Sequence, residues 1–311
     1  MSVEVLTAQR GVSVIAVTPF ADSGELDLDS TDRMVDFYLG AGASGLTILG
    51  MMGEASKLTP SESLTFLRRV IARAGSAPVI VGVSAPGFQA MADLSAEAMD
   101  SGALAVMIAP PGTVRSDAQI VGYYQAAADA IGSNVPLVLQ DFPLATGVVF
   151  SPECIGQIIE KVPSVGMLKH EDWPGLSKIT ALREAERAGR RRISILCGNG
   201  GLFLTEELAR GADGAMTGFA FPEMMVGVYR LMECGDRAAA QDLFDAYLPY
   251  ARYEQQPGIG LSLRKHVLAQ RGVIASACVR RPATALSPAD IEDVASLLAR
   301  QERRLARLRP A

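Results

Sequence analysis

Eight short apolar runs, each followed by a stretch with helical patterning, predict a closed (β/α)8 barrel with an extra helical region after it. Three features carry the prediction. The runs number eight, the count that closes such a barrel. They are nearly continuous in apolar character, as strands buried on both faces must be. Gly or Pro punctuates many of the turns between runs and helical stretches, as at Gly40, Gly75, Gly102, Gly132 and Gly211. The chain has 311 residues, with 49% hydrophobic and 20% charged, an ordinary globular composition able to bury one large core.

In chain order the runs are 12–17, 45–49, 79–83, 104–108, 135–139, 165–168, 193–196 and 214–217. The helical stretches between them are 30–39, 61–74, 90–100, 117–131, 152–161, 176–188 and 202–210. Beyond Gly218 no further run occurs, and 222–234, 237–250, 261–270 and 288–308 read as helices. The expected division is therefore a barrel over 1–218 and a helical region over 219–311. The last helix is strongly basic at Arg300, Arg303, Arg304, Arg307 and Arg309. A solvated face is the plain reading, with an interface or an anion contact as the alternatives.

Several function classes are disfavoured at this stage. The net charge of −5 gives no electrostatic footprint for nucleic acid. No apolar stretch approaches the ~20 residues needed to span a bilayer, and residues 1–11 lack a basic segment leading into an apolar one. A cytoplasmic protein is expected. The four cysteines, Cys154, Cys197, Cys234 and Cys278, form no Cys-x-x-Cys pair, and His170 and His266 lie far apart, so no zinc site is expected.

In a barrel of this kind chemistry belongs at the C-terminal strand ends. Lysine is rare here, confined to Lys57, Lys161, Lys169, Lys178 and Lys265, while arginine supplies most of the positive charge. A lysine inside an apolar segment calls for a chemical reason, because only an amine can lose its proton in a dry site and form an imine. Lys169 is such a residue, at the end of Val165-Gly166-Met167-Leu168-Lys169. Its neutral amine would add to a ketone, and the protonated imine would act as an electron sink. A lysine reaching solvent, or pairing with Glu171, is the alternative. Gly50-Met51-Met52-Gly53-Glu54 could bring backbone N–H groups together around a carboxylate, or form a plain turn. Gly198-Asn199-Gly200-Gly201 could present N–H groups to an anion at the seventh strand end, or form a simple turn.

Taken together, Thr18-Pro19-Phe20, Gly50-x-x-Gly53-Glu54, Pro143-x-x-Thr146-Gly147, Lys169, Gly198 and Gly214 resemble the dihydrodipicolinate synthase / N-acetylneuraminate lyase family over almost the whole chain. The resemblance implies a (β/α)8 barrel that binds pyruvate or another 2-oxo acid as an imine on Lys169. It also implies that no metal or organic cofactor is needed, and a homo-oligomer, dimer or tetramer.

The departures from the family pattern are informative. The two threonines of its glycine loop are Met51 and Met52 here. The acid/base tyrosine ending the fifth strand is Gln140, and a second tyrosine falls near Pro111-Gly112. The arginine for a second substrate's carboxylate falls at Ala145. An amide is not an acid/base near neutral pH, and alanine binds no anion. Gln140-Asp141-x-Pro143 looks like the strand end of 2-keto-3-deoxyarabonate dehydratases. Strand alternation puts Glu171 on the side of Lys169, with His170 and Asp141 facing away, so Glu171 is the candidate acid/base. A structural salt bridge is its alternative role.

The expected site thus has Lys169, Glu171 and Gln140 for catalysis. Gly50, Met51, Met52 and Gly53 are expected to bind substrate, together with Gly198, Asn199 and Met216. The expected activity is that of an imine-forming lyase on a 2-oxo acid such as pyruvate or a 2-keto-3-deoxy sugar acid. Dihydrodipicolinate synthase itself, or a non-catalytic oxo-acid binder, are the rival expectations.

Overall fold

A computed structural model describes residues 2–173 and 175–308, and Arg309 lies outside them. Its centre is a closed barrel of eight parallel strands in sequential order. The strands are β1 (Gly11–Ile15), β2 (Gly45–Ile48), β3 (Val79–Gly82), β4 (Ala105–Ile108), β5 (Leu137–Asp141), β6 (Val165–His170), β7 (Ser194–Cys197) and β8 (Gly214–Thr217). The helices are α1 (Val3–Thr7), α2 (Leu28–Gly40), α3 (Pro60–Ala74), α4 (Phe88–Asp100), α5 (Asp117–Ile131), α6 (Pro143–Thr146), α7 (Pro152–Lys161), α8 (Leu176–Arg187) and α9 (Leu204–Ala209). After β8 come α10 (Pro222–Glu233), α11 (Arg237–Glu254), α12 (Gly260–Gln270) and α13 (Pro288–Leu308).

Strand alternation divides the buried apolar residues into two clusters. Ile15, Ile80, Met107, Val138, Met167, Leu196 and Met216 fill the barrel interior. Their strand neighbours, such as Val14, Val81, Ile108, Leu139, Leu168, Ile195 and Ala215, pack outward against the helices. The helices start where their sequences favour starting. Thr59 and Ser116 each form a reciprocal cap with a residue three further on, Glu62 and Gln119. The barrel closes between β1 and β8 because Gly214 has no side chain. A Cβ there would lie 1.8 Å from the Gly11 carbonyl oxygen.

Differences from the sequence reading are local. The fifth strand begins two residues later than expected, at Leu137, since Pro136 has no N–H for the ladder. The sixth runs two residues further, through Lys169 and His170. The stretch 202–210 is helical only over Leu204–Ala209, because the glycines before it form a separate tight turn at Asn199–Gly201. Helix α1 was not anticipated. It covers the N-terminal end of the barrel with one buried residue, Leu6, too little apolar pattern to read from sequence. Helix α10 packs on β1 and α9, continuing the ring of barrel helices beyond residue 218.

Candidate active site

Gln140 and Lys169 are paired neighbours in the register of β5 and β6, and both side chains enter the barrel at its C-terminal mouth. Glu171 follows on the same side, because its N–H donates to the Asp141 carbonyl at 2.9 Å and carries the ladder past the end of β6. The three side chains meet at one oxygen. Lys169 Nζ lies 2.8 Å from Glu171 Oε2, and Gln140 Nε2 donates to the same atom at 2.8 Å. Lys169, Glu171 and Gln140 are 5%, 6% and 4% exposed. A pair this dry is little screened by salt.

Gly198 makes the room. A Cβ at that position would lie 2.2 Å from Glu171 Cγ, so any other residue displaces the carboxylate. Asn199, whose φ of 51° is left-handed, turns its side chain back so that Nδ2 donates to the Glu171 carbonyl at 3.0 Å. Behind the strands, the outward-facing residues form a second polar layer. Lys178 Nζ pairs with Asp141 at 2.7 Å and with Asp172 at 2.8 Å. His170 Nε2 lies 3.0 Å from the Gly175 carbonyl oxygen. Burial works to raise the Asp172 carboxyl, but the hydrogen bond and charge of Lys178 outweigh it and hold the group below its usual range. This layer fixes the segment from which Glu171 projects.

The loop after β2 forms one tight helical turn, Met51–Gly53. Thr18 Oγ1 donates to the Gly53 carbonyl at 2.6 Å, fastening the loop to the end of β1. Met52 packs on the barrel-interior cluster, Met51 is 48% exposed, and Met216 is fully buried in the interior. The loop after β7 takes the simple-turn alternative. Gly198 N–H is taken by the His170 carbonyl at 2.8 Å, and Gly201 N–H by the Gly198 carbonyl at 2.9 Å. Gly200 N–H donates to Thr217 Oγ1 at 2.8 Å. These amides are used within the protein, so the stretch shapes the site and does not offer them to an anion.

Sequence reasoning passed over Lys265 and Arg280, which hold Glu54 beneath the glycine loop. The signal was present for Lys265: a lysine in a buried helix of a lysine-poor chain, the argument that singled out Lys169. Among the described residues no three His, Cys, Asp or Glu side chains are grouped to hold a metal ion.

Residues 8–301 match the model of the dihydrodipicolinate synthetase family. The chain belongs to this family. It is 35% identical over 285 residues to an L-2-keto-3-deoxyarabonate dehydratase of Azospirillum brasilense, covering 90% of each chain. To a 4-hydroxy-tetrahydrodipicolinate synthase of an Exiguobacterium strain it is 27% identical over 235 residues, 74% of this chain and 78% of the relative. A crystal structure described as dihydrodipicolinate synthase from Rhodopseudomonas palustris superposes with a TM-score of 0.94. That chain is 51% identical, with 96% of this chain and 99% of that one covered.

Proposed function

We propose that the protein is an imine-forming lyase whose substrate is a 2-keto-3-deoxy sugar acid and whose reaction is loss of water. The observation that carries this reading is the dry meeting of Lys169, Glu171 and Gln140 at one carboxylate oxygen. Glu171 takes a proton from the Lys169 ammonium 2.8 Å away, the freed amine adds to the C2 carbonyl, and the carboxyl group returns the proton as water leaves, giving the protonated imine with Glu171 again a carboxylate. Glu171 then removes a proton from C3, and the electron pair moves into the imine as an enamine. The enamine expels the C4 hydroxyl, protonated by the same carboxyl group, as water. Hydrolysis of the new imine restores Lys169. One carboxyl group thus serves as base and acid in turn. Gln140, an amide that cannot titrate, orients it by its 2.8 Å hydrogen bond. The imine itself supplies the electron sink, so the scheme needs no cofactor.

The substrate carboxylate is assigned to the loop after β2. The first N–H groups of a helical turn have no partner within it, which leaves those of Met51 and Met52 for a ligand. The relative named as a 2-keto-3-deoxyarabonate dehydratase supports the choice of a sugar acid and of dehydration. A cytoplasmic homo-oligomer forms part of the proposal. Leu144 and Val149, exposed apolar residues following β5, suit burial between copies. No helix among the described residues is long and apolar enough to cross a membrane.

The second reading, condensation of pyruvate with an aldehyde in the manner of dihydrodipicolinate synthase, is favoured by the description of the 51%-identical structure. Ala145 and Gln140 stand against it. The deciding experiment offers the enzyme 2-keto-3-deoxypentonates and follows products by mass spectrometry. Loss of one water supports the proposal. Cleavage to pyruvate and an aldehyde, or activity confined to the coupled synthase assay, overturns it.

A further inference from the structure

Helix α12 buries two adjacent cations, Arg264 and Lys265, at 1% and 0% exposure. Burying charge is costly unless each is paired, and both pairs point at the C-terminal face of the barrel. Arg264 Nε donates to Glu254 at 2.7 Å, and its guanidinium crosses Gly218 just past β8, where a Cβ would lie 2.1 Å from Nη1. Lys265 Nζ reaches Glu54 Oε1 at 2.6 Å and the Cys278 carbonyl at 2.8 Å, and lies 4.5 Å from the centre of the Phe20 ring. The other Glu54 oxygen accepts from Lys57 Nζ at 3.0 Å and from the Arg280 N–H at 2.9 Å. Glu54 is 2% exposed, so two of the groups that neutralise and saturate this buried carboxylate come from beyond the barrel.

The loop it serves needs such support. Leu49 and Glu54, flanking Gly50–Gly53, both have left-handed backbones, with φ of 54° and 55°. Non-glycine residues hold that conformation only when their surroundings enforce it. Gly53 is further fixed by Thr18, but the anchor from Glu54 is the one carried by the C-terminal region.

We propose that Lys265 is a positioning residue for substrate binding. Through Glu54 it sets the Met51 and Met52 amides that receive the carboxylate of the 2-oxo acid, which makes the C-terminal helical region a working part of the site. The inference rests on the assignment of the substrate carboxylate to this loop.

The test compares pyruvate with methyl pyruvate, a neutral analogue of the same carbon skeleton. Half-saturating concentrations are read by borohydride trapping on the full-length protein, independently of turnover. Wild type is expected to favour pyruvate at least tenfold. Lys265→Met should weaken pyruvate by tenfold or more and leave methyl pyruvate within twofold, with the same trapped fraction at saturation. A variant that keeps the wild-type preference, even with a lowered melting temperature, overturns the inference alone. A wild type with no preference overturns the carboxylate assignment and the inference with it. Should Lys265→Met fail to fold, Glu54→Gln, which keeps shape and loses the charge, carries the same comparison with the same expected loss.

Discussion

Glu171 lies against Gln140, the position where the family pattern has its acid/base tyrosine, and its role can be separated from that of Lys169. Imine formation needs the amine, whereas the later proton transfers need a titrating group. Glu171→Gln keeps the hydrogen-bonding shape and should still be trapped by borohydride, while turnover falls roughly 10²-fold or more. Turnover within a few-fold of wild type would return Glu171 to the status of a structural partner. Gly198→Ala reaches the same carboxylate from its neighbour. The added methyl requires Glu171 to shift, since the ideal Cβ falls 2.2 Å from Cγ. Trapping should persist with turnover reduced about as far as in Glu171→Gln. Unimpaired turnover in Gly198→Ala would show that the carboxylate has freedom the fold does not suggest.

At the level of single elements, β6 shows what pattern can and cannot reveal. Its apolar run and its lysine were legible, and alternation put Glu171 beside Lys169. That Gln140 donates to Glu171 depends on the register between β5 and β6, a pairing of residues 31 apart that no local pattern carries. Gly198 read as a turn or an anion cradle because a glycine that makes space looks the same in sequence as one that bends the chain. Helix α9 carries a further buried acid. Burial pushes the Glu207 carboxyl up to about 8, offset in part by a hydrogen bond with the Cys197 thiol. A raised carboxyl binds its proton more tightly in the folded chain, so its contribution is fully present below about 4.5 and is lost as pH rises through about 8. Stability should therefore fall across this window, by about 1.4 kcal/mol per pH unit from this group where the shift is fully felt. Glu207→Gln should flatten that slope in denaturant titrations between pH 5 and 9, on the order of the window above. An unchanged slope would mean that Glu207 ionises freely.

For the molecule as a whole, the barrel was legible because eight doubly buried strands have a pattern few other folds produce. The links between the C-terminal helices and the mouth were not, since Lys265 and Glu54 stand 211 residues apart. The same whole-chain view argues against synthase activity. Ala145 offers no cation to a second substrate's carboxylate and Gln140 no proton relay. A coupled assay with pyruvate and aspartate semialdehyde should give kcat/KM well below the ~10⁴ M⁻¹s⁻¹ at the low end of ordinary enzymes. A value above it would restore the second reading. Common to every version of the account is an imine on Lys169, and borohydride reduction with pyruvate, followed by peptide mass mapping, tests it most directly. One adduct on the peptide containing Lys169, abolished in Lys169→Arg, is the predicted result. An adduct on Lys57 or Lys178, or none with any 2-oxo acid, would contradict it.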